Sequence, residues 1–107
     1  MKRKNLYAGA LVAAVLAMGA SPSMAAEHVA YAPDGGSRAH SIDKVLYVKD
    51  TKADGHQAFG YANDEDHRLD NASGYNSTVK RTYASTITAV RACTNIQNLP
   101  DSCSAWK

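Results

Sequence analysis

Two cysteines, four histidines and two acid-rich stretches hold what chemistry this 107-residue chain offers. His28 stands third if the chain is cut after Ala25, giving a terminus Ala26-Glu27-His28. A free amine, two deprotonated backbone nitrogens and the imidazole of a third-position histidine make a square-planar nitrogen set for Cu(II) or Ni(II). Cleavage one residue later removes that set, and a histidine at position three by chance is the plain alternative. Cys93 and Cys103 are the only cysteines. Outside the cell such a pair closes, and no further cysteine or nearby histidine completes a metal set. The expectation is one disulfide around an 11-residue loop, worth roughly 2.5 to 3 kcal/mol in the chain-entropy model.

The acids are harder to assign. Asp50, Asp54 and Gly55 fall where a calcium loop wants its positions 1, 5 and 6. Lys52 and Tyr61 then occupy positions 3 and 12, where ligand oxygens belong, so the pattern fails. Asp64, Glu65, Asp66 and Asp70 offer a second place for a hard cation, or are simply solvated. There is no nucleophile elbow and no zinc-protease helix. What remains for hydrolysis is a nuclease-like set, His67 or His56 with Glu65 and Arg68, an acid, a base and a cation. Adjacent residues on a strand point to opposite faces, which speaks against that cluster. No catalytic residue and no cofactor is assigned. The Asn71-Ala72-Ser73 and Asn76-Ser77-Thr78 glycosylation patterns read as loop chemistry. Thr94 to Ser102 either presents a rigid segment as a protease inhibitor does or simply closes a hairpin; Pro100 after Leu99 makes a poor protease target.

The address is read from the first 25 residues. Lys2, Arg3 and Lys4 precede a mostly apolar run from Leu6 to Ala20, a Ser21-Pro22 break, and the small residues Ser23 and Ala25 at the two positions a signal peptidase requires. Residues 1–25 are expected to be a signal peptide cleaved after Ala25, and the run is too short for a spanning helix. No twin arginine precedes it, and no cysteine near the cut can carry a lipid. The product is expected to be extracellular, free of the membrane and monomeric.

The remaining 82 residues carry nine Lys and Arg against ten Asp and Glu, a net charge of −1 with no basic run. That balance disfavours nucleic acid as a partner. Leu, Ile, Val and Phe make up only 12 of the 82, a range where disordered chains are found, but net charge is near zero. Tyr31, Tyr47, Tyr61, Tyr75, Tyr83 and Trp106 supply apolar area for a thin core. Tyr47, Phe59, Tyr61 and Trp106 are expected to be buried in whole or part.

No helical periodicity persists, and β-branched and aromatic residues cluster in short runs between turn formers. The fold class expected is all-β, a small antiparallel two-sheet sandwich of immunoglobulin-like size with one disulfide. Residues 26–41, with Pro33-Asp34-Gly35-Gly36-Ser37, read as a flexible lead-in, and 42–107 as the domain. Ile42 to Asp50 reads as a central strand between two layers, apolar on both faces. The turn formers Asp50 to Gly55 then make a hairpin with His56 to Asn63, which has one large-residue and one small-residue face. Asp64 to Ser77 reads as a long loop with an edge strand around His67 to Leu69, Leu69 and Tyr75 being its core candidates and its length marking it as the first place for a site. Thr78 to Cys93 is expected to break near Ala84-Ser85. Ser102 to Lys107 is expected to return as an edge strand that sets Cys103 opposite Cys93.

The stretch Asp50-Thr51-Lys52-Ala53-Asp54-Gly55-His56, with Val90-Arg91-Ala92-Cys93 and Cys103-Ser104-Ala105-Trp106, resembles the small secreted single-domain proteins of actinobacteria. The likeness covers most of residues 42–107. It implies an exported β-sandwich with a disulfide near the C-terminus, in a group mostly without assigned activity, and carries over no catalytic residue. The function expected is a non-enzymatic binding module for an extracellular protein or cell-surface ligand, with the Asp64 to Ser77 loop and exposed tyrosines as contact surface. A small extracellular hydrolase, or an inhibitor presenting residues 94–102, is the alternative.

Overall fold

The computed structural model describes residues 26–107, so the signal-peptide reading of 1–25 lies outside the described residues. Eight antiparallel strands form two four-stranded sheets, and no helix occurs among the described residues. Sheet A runs β1 (Glu27–Tyr31), β2 (Ser37–Ile42), β3 (Val45–Asp50), β6 (Thr78–Thr82). Sheet B runs β5 (Asp64–Asn71), β4 (Gln57–Ala62), β7 (Val90–Asn95), β8 (Ser102–Cys103). β2 lies over β4 and β7, and β3 over β4.

The segment 26–41 is not a flexible lead-in. It is the hairpin β1–β2, joined by a turn in which Gly35 takes φ 79° and its N–H bonds the Ala32 carbonyl at 2.9 Å. Its core-facing residues are Ala30, Ser37, Ala39 and Ser41, too small to show as a hydrophobic alternation. The domain therefore begins at the first described residues rather than at Ile42. Ile42 also ends β2 instead of opening β3. A two-residue turn, with Asp43 at φ 55°, separates it from its cross-strand partner Val45.

β3 is interior within sheet A, but among the described residues no second layer covers its outer face: Leu46 and Val48 are fully buried, whereas Val45 and Tyr47 are half-buried. The expected β3–β4 hairpin is absent, because the 51–56 segment carries the chain from one sheet to the other. β4 does have a large-residue and a small-residue face, and the small one, Ala58, Gly60 and Ala62, meets the core. A Cβ built on Gly60 would lie 2.9 Å from Val48 Cγ2 and 3.2 Å from Ala39 Cβ. The two sheets thus touch through a seam of small residues, with Leu46, Leu69, Ile87 and Val90 filling the flanks.

Phe59, the largest fully buried side chain, sits on the opposite side of sheet B from that core. Its ring is covered by the Arg68 guanidinium, 3.7 Å from the ring centroid, and meets Tyr61 edge-on at 5.7 Å. Arg68 donates from Nε to Asp70 at 2.8 Å, which holds the guanidinium in place. Tyr61 in turn approaches Trp106 at 6.1 Å, and Trp106 keeps 38% of its surface exposed. Phe59 is therefore fully buried and Tyr47 and Tyr61 half-buried, as expected, whereas Trp106 lies at the surface.

β5 runs through Asp64–Asn71, so most of the expected long loop is a charged edge strand. Leu69 reaches the core, but Tyr75 does not and is 60% exposed. The break in 78–93 is wider than expected, spanning 83–89, and within it Ile87 is fully buried with its N–H on the Asp43 carbonyl at 2.8 Å. Cys93 and Cys103 are directly opposed across β7–β8 and disulfide-bonded. β8 itself is only two residues, but the Ser104 and Lys107 N–H groups continue the pairing to the Ala92 and Val90 carbonyls, both at 2.9 Å.

Replacing Cys93 and Cys103 together by alanine is expected to cost about 2.5 to 3 kcal/mol. A thermal melt should register this as a fall of roughly 10 to 20 °C for a domain of this size; an unchanged melting point would mean the strand pairing holds the C-terminal segment alone.

Candidate functional site

One end of the sandwich collects the β1–β2 turn, the 51–56 and 72–77 segments that cross between sheets, and the β7–β8 turn. The two crossovers bracket a cleft of about 280 Å³ whose lining includes Asp50, Asp54, His56, Gln57, Asn71 and Tyr75.

Local turn chemistry shapes the first wall. The Lys52 N–H donates to Asp50 Oδ1 at 3.2 Å, the Asp54 N–H to the Lys52 carbonyl at 3.0 Å, and the His56 N–H to Asp54 Oδ1 at 2.9 Å. Gly55, at φ 73°, makes the bend that only a residue without Cβ takes freely. The sequence Asp-x-Lys-x-Asp-Gly-His is thus a pair of Asx-type turns, each aspartate holding the backbone N–H two residues on.

The second wall is anchored by Asn71, which is 1% exposed. Its Nδ2 donates to the Val48 carbonyl at 3.0 Å and to the Ser77 carbonyl at 2.9 Å. Its Oδ1 accepts from the Ser73 N–H at 2.9 Å and the Ser77 hydroxyl at 3.1 Å. All four hydrogen-bonding positions of the amide are filled, and one side chain ties β5 to β3 across the two sheets. The Asn76 N–H bonds the Asp50 carbonyl at 2.8 Å, and the Asp50 N–H bonds the Ser77 carbonyl at 3.1 Å, closing the floor.

Against this satisfied frame two atoms stand out. Asp54 Oδ2 and His56 Nδ1 are enclosed and have no hydrogen-bond partner among the described residues. Buried polar groups are paired in the great majority of cases, so an unpaired donor or acceptor beside a cleft is a position that a water or a ligand can fill. Asp50, 4% exposed, adds a second carboxylate to the lining. Lys52 is the cation of the cleft, but its ammonium donates to the Asp34 carbonyl at 3.3 Å, in the neighbouring β1–β2 turn.

The other candidate residues are dispersed. His28 bonds through Nδ1 to the Lys107 carbonyl at 2.9 Å and lies in β1, so a copper set at Ala26-Glu27-His28 would have to release both that bond and the start of the strand. His40 meets Glu27 at 2.6 Å, and His67 meets Asp64 at 3.0 Å and Tyr83 ring to ring at 5.2 Å. Glu65 pairs with Arg91 at 2.9 Å and Arg68 with Asp70. The nuclease-like set of His56 or His67 with Glu65 and Arg68 is therefore divided among separate partners. Among the described residues no three of His, Cys, Asp or Glu gather as a metal site, and the Asp64, Glu65, Asp66 and Asp70 group does not converge. Residues 96–101 close the β7–β8 hairpin and leave Leu99 66% exposed.

Asn71, expected as loop chemistry, is structural. So is Asn63, expected only as the end of the strand His56 to Asn63: its Oδ1 accepts from the Thr88 N–H at 2.7 Å and its Nδ2 donates to the Thr86 carbonyl at 3.3 Å, fastening the β4–β5 corner to the 83–89 segment. The available signal was an asparagine adjoining an alternating run.

Comparison with protein-family models, with curated proteins and with solved structures finds no match.

The frame and the orphan atoms should respond oppositely to mutation. Asn71→Ala is expected to lose about 2 to 4 kcal/mol in urea unfolding, since several buried groups lose partners at once. His56→Leu removes an unpaired buried nitrogen and should leave stability within about 0.5 kcal/mol of the parent or raise it. A large loss in His56→Leu would make His56 part of the frame.

Proposed function

We propose that this chain is an exported, non-enzymatic binding module that takes a small polar ligand in the cleft between the 51–56 and 72–77 crossovers. The observation that carries this reading is the enclosed, unpartnered pair Asp54 Oδ2 and His56 Nδ1 on the wall of a 280 Å³ cleft. A ligand supplying a donor to the carboxylate and a partner to the imidazole completes the hydrogen bonding that the described residues leave open. Tyr75, exposed at the rim, offers an aromatic face with a polar tip. The cleft is near the lower size of small-molecule sites, which suits an amino acid, a monosaccharide or a short polyamine.

A binding role is favoured over hydrolysis because His56 and Asp54 are not hydrogen-bonded to each other through their side chains, and no serine or cysteine among the described residues lines the cleft. Export is supported by the cationic and apolar N-terminal sequence and by the disulfide. The resemblance to small exported actinobacterial proteins agrees with that placement. The partners proposed are extracellular or cell-surface molecules bearing such polar groups.

The test is an amide NMR titration of the folded domain with lysine, N-acetylglucosamine and spermidine at about 10 mM each, where a ligand at or above its dissociation constant also raises thermal stability. The expected result is that at least one probe moves the amides of 52–57 and 72–76 together, is recovered unchanged, and loses its effect in His56→Leu. Shifts confined to other surfaces, shifts with none of the probes, or conversion of a probe would overturn the reading. Export is checked by intact mass of the protein from culture supernatant, expected to begin at Ala26 and to be two hydrogens short.

A further inference from the structure

The near balance of charge along the chain hides a segregation that the fold creates. The outer face of sheet A is built of cross-strand rows, and two of them read Tyr31–Arg38–Lys49–Thr78 and Val29–His40–Tyr47–Lys80. Arg38, Lys49 and Lys80 come from three different strands, so no basic run appears in the sequence, yet the sheet brings them to one surface. The next row contributes Glu27, among the described residues the one carboxylate in these rows, and His40 already engages it at 2.6 Å. Among the described residues none of the three cations meets a carboxylate, and Arg38 Nε is enclosed with no acceptor.

Sheet B presents the opposite case. Its outer face also carries arginines and aromatics, but Arg68 and Arg91 are each paired with an acid and Phe59 is sealed beneath Arg68. That face has closed on itself, whereas the face of sheet A is open. Tyr31 is 62% exposed there, and His40 and Tyr47 lie side by side with ring centroids 5.9 Å apart.

We propose that the outer face of sheet A binds a single strand of nucleic acid, with Arg38, Lys49 and Lys80 on its phosphates and Tyr31, His40 and Tyr47 against its bases. Charge complementarity sets the sign of the partner. The interleaved rings favour a strand with stackable bases over an acidic peptide, because base–aromatic stacking adds to each phosphate contact and needs no particular sequence. An open sheet studded with aromatics is the geometry by which single strands are held flat, with unpaired bases splayed over the strands. The proposal is independent of the cleft, which lies at one end of the sandwich.

The experiment is fluorescence anisotropy of a labelled oligothymidylate of about 15 nucleotides, titrated with the folded protein across a range of salt concentrations. Three phosphate contacts on a single strand predict a slope of log affinity against log salt of about −2, and Lys80→Ala should reduce it by about 0.7. Tyr31→Ala should weaken binding about tenfold with the slope unchanged. Lys107→Ala, a cation off this face, should change neither. Failure to bind the oligonucleotide at about 50 mM salt would overturn the proposal. So would equally tight binding of polyglutamate, which would assign the face to an acidic protein, or a slope unaffected by Lys80→Ala. Since Lys80 and Tyr31 are exposed, loss of fold in these variants, checked by thermal melting, is not expected.

Discussion

The two sheets of this domain meet where neither has a side chain to spare. Gly60 on β4 faces Ala39 on β2 and Val48 on β3, so closely that a single added carbon would fall inside contact distance of both. A core of this kind stabilises through closeness rather than bulk: fewer apolar atoms are buried, but they are in contact across the whole seam. Everything else compensates for the thin core. Asn71 supplies a fully satisfied polar stitch between the sheets, Asn63 fastens one corner, Ile87 fills the end below the seam, and the Cys93–Cys103 bond holds the last strand.

The seam also explains why the aromatic residues are where they are. With small residues turned inward on β4, the alternation of the strand sends Phe59 and Tyr61 outward. Phe59 is then buried only because Arg68 lies across it and Asp70 fixes Arg68, a second, minor core built on the back of sheet B. On that face both arginines are paired with acids of the same sheet. Among the described residues sheet A has no such cover, and its arginine and lysines meet no carboxylate. The asymmetry between the two outer faces follows from which sheet had to hide its aromatics.

Much of this was legible in the sequence, and what was not has a common cause. The all-β class, the disulfide across the last strand pair, a break around Ala84-Ser85 and the core position of Leu69 could be read because they depend on β-branched composition, turn formers or cysteine count. The hairpin β1–β2 could not, since its inward residues are alanine and serine, which hydrophobic patterning treats as neutral. The β3–β4 connection looked like a hairpin because turn formers do not reveal whether the chain returns to the same sheet. Tyr75 was expected in the core by type alone, yet it sits on a crossover whose backbone is already satisfied by Asn71 and Asp50. For the cleft, the Asp50-to-His56 stretch was singled out for a calcium pattern that fails. Its real feature is that the two aspartates use one oxygen each on the backbone, and only the fold shows that Asp54 Oδ2 and His56 Nδ1 end up enclosed.

The measurement that bears most directly on the seam is the unfolding free energy of Gly60→Ala. Glycine to alanine at an ordinary position of compatible backbone stabilises by about 0.4 to 1 kcal/mol through the unfolded chain. Here the sign should reverse, with a loss of about 1 to 3 kcal/mol as the added methyl forces Val48 and Ala39 apart. A neutral or stabilised Gly60→Ala would mean the sheets are not in contact through small residues, and the account of this core would have to be rebuilt around its larger side chains.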